Sequence, residues 1–367
     1  MLTHLTARGL NGHVSVDTNL YPDVNLITGA NGSGKTTILK LLWYSISGNI
    51  ERIAQEITFD FIEIKSDKFS MSFERKHKTV NIIYKIGKLK SNSFSCSVEQ
   101  MAEEVASVYD MNHAIAEVGQ SVFFPTFRRV EGGFSIGTPH LRARRGYMRD
   151  FGASIQEVLE RLAGALSVGQ HRFVCSISTS DIVNLVAKRY ADVSQSTNLA
   201  HSELVGSIIK DIDALDVADT FQELEAAIGV IHRIRDITQK FKINQEHILA
   251  PFSALSDTIS KLFIDKGIKM TDGVYFGDEL ESIPSDMLSA GEKQVLSFLV
   301  YNAFYSKVPF FIDEPELSLH VDWQRSLFGI LDRQKTENQF FIATHSPFIY
   351  ASYKDREILV GKHRGGE

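Results

Sequence analysis

A short apolar stretch, Val24 to Thr28, runs straight into Gly29-Ala30-Asn31-Gly32-Ser33-Gly34-Lys35-Thr36. Helical spacing starts at once behind it, with Ile38, Leu41, Leu42 and Ile46 on one face. The segment fits glycine, any four residues, glycine, lysine, then serine or threonine, in the strand-loop-helix setting the pattern needs. The strand must end where the helix begins, and the glycines must let backbone N–H groups close on an anion. Such a loop cradles phosphates. Gly29, Asn31, Gly32, Ser33 and Gly34 form the cradle, and Thr37 follows Thr36 into the first helical turn. Lys35 is expected to reach the β- and γ-phosphates, and the Thr36 hydroxyl to ligate magnesium. The implied ligands are ATP and Mg2+.

Three further segments follow in a fixed order: Leu288-Ser289-Ala290-Gly291-Glu292, Phe310-Phe311-Ile312-Asp313-Glu314 and Thr344-His345-Ser346. The middle one reads as a buried strand ending in two carboxylates, which point differently because side chains alternate along a strand. Asp313 is placed to hold magnesium through water, and Glu314 to orient or deprotonate the attacking water. Read alone, each segment has a plain alternative. Ser289 would cap a helix, with Gly291 in its first turn. Two acids at a strand end would be solvated, and His345 would be a core or capping histidine. Their order behind a phosphate loop favours chemistry.

The pattern along the chain gives the fold class. Strands are expected at Leu2 to Arg8, His13 to Leu20 and Val24 to Thr28, with alternating runs from Ile57 to Val98 that suggest an antiparallel layer. Gln100 to Glu117 reads as one helix and Ser121 to Pro125 as a short buried strand. After Asp272 a hairpin is expected (Val274 to Phe276, then Asp278-Glu279), and beyond it helix and strand alternate: Gly291 to Tyr305, Val308 to Ile312, Val321 to Arg333, Gln339 to Ala343. That alternation implies a parallel sheet with crossover helices. Residues 137–267 carry helical periodicity, as at Ile228, Ile231, Ile234 and Ile237, consistent with a helical hairpin, a short coiled coil or bundle packing. The expectation is an α/β head of mixed and parallel sheet plus an antiparallel β layer, interrupted by a helical insertion. Residues 1–136 and 268–367 form the head and 137–267 the arm.

Composition removes several classes. Hydrophobic residues make up 43% and charged ones 23%, which is globular. A net charge of -6 makes the whole molecule no magnet for nucleic acid. Two cysteines, Cys96 and Cys175, stand outside any metal-ligand spacing and suit a reducing compartment. Met1 to Arg8 holds no basic segment followed by an apolar run, and Val295 to Ile312 is broken by Asn302, Lys307 and Pro309. A cytoplasmic location with no membrane association is expected. Arg128, Arg129, Arg142, Arg144, Arg145 and Arg149 cluster with Glu131 as the acid among them, fitting either a phosphate-binding surface or a solvated face. Asp211 and Asp213 have a nuclease-like spacing but sit where helix acids line a solvent face.

Leu288 to Glu292, extended by Lys293-Gln294, resembles the signature motif of ABC-type ATPases. The resemblance implies that Ser289 and Gly291 contact the γ-phosphate held by an opposite subunit, so the heads dimerise around ATP. It implies that His345 contacts the γ-phosphate and supports Glu314. It also implies a lid glutamine, for which Gln120 is the candidate; Gln100 and the lack of any such glutamine are the rivals. The long stretch between Thr36 and Leu288 looks like the SMC, RecF and OLD-type branch, whose heads carry an inserted arm. Asp313-Glu314-Pro315-Glu316-Leu317-Ser318-Leu319-His320 and Ala343-Thr344-His345-Ser346-Pro347 look most like stand-alone bacterial ATPases of the OLD type. OLD nucleases continue into a nuclease domain beyond the histidine, whereas this sequence stops soon after it. Similar small ATPases, of the PARIS, Septu and retron-associated kinds, stand beside a separate effector in anti-phage defence. The resemblance therefore implies a homodimeric or higher-order ATPase that regulates a separately encoded nuclease or toxin, with DNA or a phage protein as trigger. The alternatives are a DNA repair ATPase of the RecF or SMC kind and a non-hydrolysing scaffold locked by ATP.

Overall fold

The computed structural model describes residues 1–126, 161, 163–174, 179–213, 221–263 and 288–361. Two compact units emerge: Met1–Ile177 with Ala290–Val295 and Tyr305–Glu367, and Ser178–Ser289 with Leu296–Phe304.

The first unit opens with β1 (Leu2–Leu10), β2 (Val14–Asn19), β3 (Val24–Thr28), α1 (Lys35–Ser47) and α2 (Ile50–Glu56). Four strands follow: β4 (Phe61–Ser66), β5 (Phe69–Lys76), β6 (Thr79–Ile86) and β7 (Asn92–Ser97). Their alternating burial, as in Ile62 and Ile64 inward with Glu63 and Lys65 outward, builds an antiparallel sheet in the order β2-β1-β4-β5-β6-β7. Next come α3 (Val98–Ala102), α4 (Ala106–Ala116), β8 (Ser121–Phe124) and β9 (His171–Phe173). The expected single helix over Gln100 to Glu117 is thus two. Ser97 and Gln100 close a reciprocal capping box on α3, and Glu104 turns the chain at φ 53° before α4.

The second unit holds α5 (Thr179–Asp213) and α6 (Phe221–Leu262), which pack against each other. Tyr190 meets Phe252 and His201 meets Phe241, so the two helices run antiparallel as a hairpin. In α7 (Ala290–Phe304) the start belongs to the first unit and Leu296–Phe304 to the second. The first unit ends with β10 (Pro309–Asp313), α8 (Val321–Asp332), β11 (Gln339–Ala343), α9 (Pro347–Ser352) and β12 (Glu357–Leu359).

The second sheet runs β12-β3-β11-β10-β8-β9, with every described pair parallel. Its central strands are buried on both faces, as parallel strands under crossover helices must be. Phe173, Phe123, Phe311 and Phe341 stack across four adjacent strands at 5.2, 6.2 and 5.0 Å. Trp43 of α1 covers them, 5.2 Å from both Phe123 and Phe173. Phe173 explains why a strand forms inside a stretch expected to be helical: three residues are too few for a readable period, and aromatic packing decides. Gln339 joins the two sheets, exchanging bonds with Leu2 and donating to the Tyr21 carbonyl. The expected boundaries at 137 and 268, the arginine cluster and the hairpin expected over 274–279 lie outside the described residues.

Candidate functional site

All strands of the parallel sheet point their C-terminal ends to one edge, and the motifs collect there. Thr28 ends β3, Asp313 ends β10 and Ala343 ends β11, with Glu314 and Thr344 next in the chain. Gly29 is buried, with φ 149°, and a Cβ on it would sit 2.3 Å from the Val360 carbonyl and 2.6 Å from Ser33 Oγ. No side chain fits there, which fixes the first glycine of the loop. Gly34, in the left-handed region, leads into α1. Asn31 and Gly32 are exposed at the loop tip. Ser33 Oγ is buried with no hydrogen-bond partner among the described residues. A buried hydroxyl left unmatched inside a curl of backbone suits an oxygen-rich anion.

Lys35 is buried and folds back on the loop, its Nζ donating to the carbonyls of Ala30 at 3.0 Å and Gly29 at 3.3 Å. Thr36 Oγ1 reaches both carboxylate oxygens of Asp313 at 3.1 Å. Thr126, just past β8, donates to Asp313 Oδ2 at 2.6 Å. Asp313 is 3% exposed. Burial pushes its carboxyl up, the Thr126 and Thr36 bonds draw it back, and Glu314 pushes it up again. One carboxylate flanked by two hydroxyls is a hard-oxygen set of the kind magnesium uses when a substrate phosphate completes its shell. Thr37, next to Thr36, accepts from Asn11 Nδ2.

Glu314 follows at φ 47° and ψ 57°, the left-handed region, with its N–H bonded to the Ala343 carbonyl. This turn throws its side chain away from that of Asp313 and toward His345, whose Nε2 lies 3.9 Å from Glu314 Oε1. Both side chains keep about a quarter of their surface in solvent, 22% and 25%. His345 also lines a cavity of about 250 Å³ with Thr28, Gly29, Ser346, Tyr350 and Glu357. There Glu357 accepts from the Thr28 and Tyr350 hydroxyls.

The structure therefore brings Gly29, Ser33, Lys35, Thr36, Asp313, Glu314 and His345 to one edge. Gly291 stands at the start of α7, against the turn that follows Glu314: a Cβ on it would fall 2.2 Å from the Ser318 carbonyl. Ser289 is exposed and belongs to the second unit.

Gln120 is a correction. It precedes β8, and since β8 runs parallel to β10, Gln120 sits at the opposite edge of the sheet, beside Met1, Lys68 and Lys307. Its side chain bonds Gln170. Gln100 is occupied by the capping box on α3. The residue that follows β8 at the correct edge is Thr126, which sequence reasoning missed. It also missed Glu316 and Gln324. Glu316 accepts from the Thr344 hydroxyl and the His345 N–H, and Gln324 accepts from Ser346 Oγ. Asp211 and Asp213 end α5, and no acid, histidine or cysteine cluster fit for a metal occurs among the described residues.

Two family models match the chain. One, described as "AAA domain, putative AbiEii toxin, Type IV TA system", covers residues 214–351, and one described as "AAA domain" covers residues 4–130. An AAA domain model thus matches toward each end of the chain, each over less than half of its length. Endonuclease GajA of Bacillus cereus (strain VD045) is 28% identical over 160 residues, a match that takes in 37% of this chain and 27% of GajA. Among solved structures, an Smc head domain from Pyrococcus furiosus, with an extended coiled coil and bound to the C-terminal domain of ScpA, aligns at TM-score 0.38 and 14% identity. An SmcHead bound to the C-winged helix domain of ScpA aligns at 0.39 and 12%. Each alignment covers 95% of this chain and 91% of the other. No described helix is long and apolar enough to cross a membrane.

Proposed function

We propose that this chain, built on AAA-type ATPase domains, binds ATP with magnesium and hydrolyses it. The observation that carries the reading is the convergence of Lys35, Thr36, Asp313, Glu314 and His345 on one sheet edge. The loop N–H groups and Lys35 hold the phosphates, trading the Lys35 bonds to loop carbonyls for bonds to phosphate oxygens. Thr36 and Asp313 hold magnesium, which when bound supplies positive charge to the phosphates, and Thr126 fixes the Asp313 carboxylate. Glu314 accepts the proton of the attacking water. The His345 imidazole would donate a hydrogen bond to the γ-phosphate and keep Glu314 turned toward the water.

The exposed Ser289 and the start of α7 complete the site of a second copy, so that two heads enclose the nucleotide. In this reading the ATP-bound dimer holds or releases a separate nuclease or toxin effector in defence against phage. The similarity to stand-alone ATPases of that kind supports it, and so does the partial match to GajA, an endonuclease. The test is to purify tagged Glu314→Gln chain from its host with ATP and identify what comes with it. A stoichiometric protein encoded alongside, especially a nuclease, supports the sensor-effector reading. DNA without protein moves the assignment to a repair ATPase, whose DNA affinity would fall steeply with salt. Wild-type chain without ATP turnover would leave the ATP-locked scaffold.

A further inference from the structure

The short turn Pro315–Ser318 touches the histidine segment, α8 and the start of α7 at once. Glu316 Oε1 accepts the His345 backbone N–H at 2.5 Å, and its Oε2 accepts the Thr344 hydroxyl at 2.9 Å. Thr344 Oγ1 in turn accepts the Ser346 N–H at 2.9 Å. A carboxylate taking two donors from consecutive residues fixes both the position and the rotation of that segment. On its other side the turn's backbone meets α7. The Pro315 carbonyl accepts from Gln294 Nε2 at 3.3 Å, and the Ser318 carbonyl fills the space where Gly291 has no side chain. Gln324 braces the ensemble, donating to the Leu319 carbonyl at 2.8 Å and accepting from Ser346 Oγ at 2.6 Å.

We propose that Glu316 is a positioning residue that sets His345 against Glu314 and passes to it the position of the α7 start. The inference rests on the ATPase reading of the site. The Glu316 carboxylate accepts from the Thr344 hydroxyl and the His345 backbone N–H, so its action runs through His345. The His345–Glu314 separation of 3.9 Å is one at which a shift of about 1 Å makes or breaks a contact. A movement of Gly291 and Gln294 reaches Glu316 through the carbonyls of its own turn. If α7 of one copy touches the nucleotide of the other, closure of the dimer is then felt at the histidine of the first.

Two readouts test this. In Glu316→Ala, kcat should fall about tenfold to a hundredfold while KM and the affinity for a fluorescent ATP analogue stay within about twofold. In the full chain labelled with 15N-histidine, the imidazole resonance lost in His345→Gln should move in Glu316→Ala. Glu316→Gln keeps one acceptor and should restore the resonance and most of kcat. Should Glu316→Ala fail to fold, Thr344→Val removes one of the two donors and decides in the same way. An unmoved His345 resonance overturns the proposal, as does a loss of nucleotide affinity that matches the loss of kcat. A wild-type chain without ATP turnover refutes the ATPase reading instead, and the resonance alone then decides whether Glu316 sets the histidine.

Discussion

The Thr126 hydroxyl donates to Asp313 Oδ2 at 2.6 Å from the end of a strand far away in sequence. Thr36 holds the same carboxylate from the other side, so Asp313 is aimed before any ligand arrives. Thr126→Val should leave the fold intact and weaken magnesium-dependent nucleotide binding several-fold, about 1 kcal/mol for one lost hydrogen bond. Titrating magnesium at fixed ATP analogue measures it. An unchanged midpoint would separate Thr126 from the metal site.

Lys35→Ala should abolish nucleotide binding, because the buried ammonium is the positive side chain folded over the loop carbonyls. Equilibrium binding of a fluorescent ATP analogue reads this directly. Undiminished affinity would sink the phosphate-loop assignment.

Glu314→Gln should retain ATP and lower turnover about a hundredfold or more, because the amide cannot accept the water's proton. Sedimentation with ATP should show a dimer that persists. A mixture of Lys35→Ala and Ser289→Arg chains should recover part of the activity if each copy completes the other's site. Absence of recovery, with subunit exchange demonstrated, would argue for a site completed within one chain.

His171 predicts a pH dependence of stability. Buried between Ser121 Oγ and the Ala116 carbonyl, its imidazole is held neutral, and burial pulls its pKa down from 6.5 to about 4. Between these values the unfolded chain binds the extra proton, so stability rises with pH there and is complete above about 6.5. The contribution lost on acidification is about 3 kcal/mol at most. Urea denaturation at pH 7.5, 5.5 and 4.5 should show the margin of wild type over His171→Leu shrinking with acidity. A constant margin would contradict the assignment.

Gly291→Ala should destabilise the first unit by about 1–3 kcal/mol, since its Cβ would fall 2.2 Å from a backbone carbonyl that cannot swing away. Melting of the isolated chain without nucleotide checks this. An unaltered melting temperature would show that the α7 start is free to move.

The head was legible where constraint is local. The β3-loop-α1 unit reads directly because phosphate binding dictates glycine, lysine and hydroxyl at fixed spacing; the bounds Val24–Thr28 coincide with expectation, and the face Ile38, Leu41, Leu42 and Ile46 is buried in α1. Gln120 failed for a topological reason. The sequence shows that Ser121 to Phe124 is a buried strand, but its site edge depends on its direction beside β10, and the parallel register puts Thr126 there. β9 was hidden because three residues carry no period, and its place rests on Phe173 meeting Trp43 across the sequence. Glu316 stood two residues past Glu314, yet its partners come from β11's end, a contact that spacing alone does not announce.

On the proposed ATPase reading, the left-handed backbone at Glu314 sets selection for durability against selection for turnover at a single codon. Glycine or asparagine would adopt that conformation with about 1 kcal/mol less strain. Heat-based screening of random variants would thus favour replacements that discard the carboxylate. Thermostable descendants of this chain would need to be sorted by turnover, since the easiest local gain in robustness is also the route to a silent ATPase.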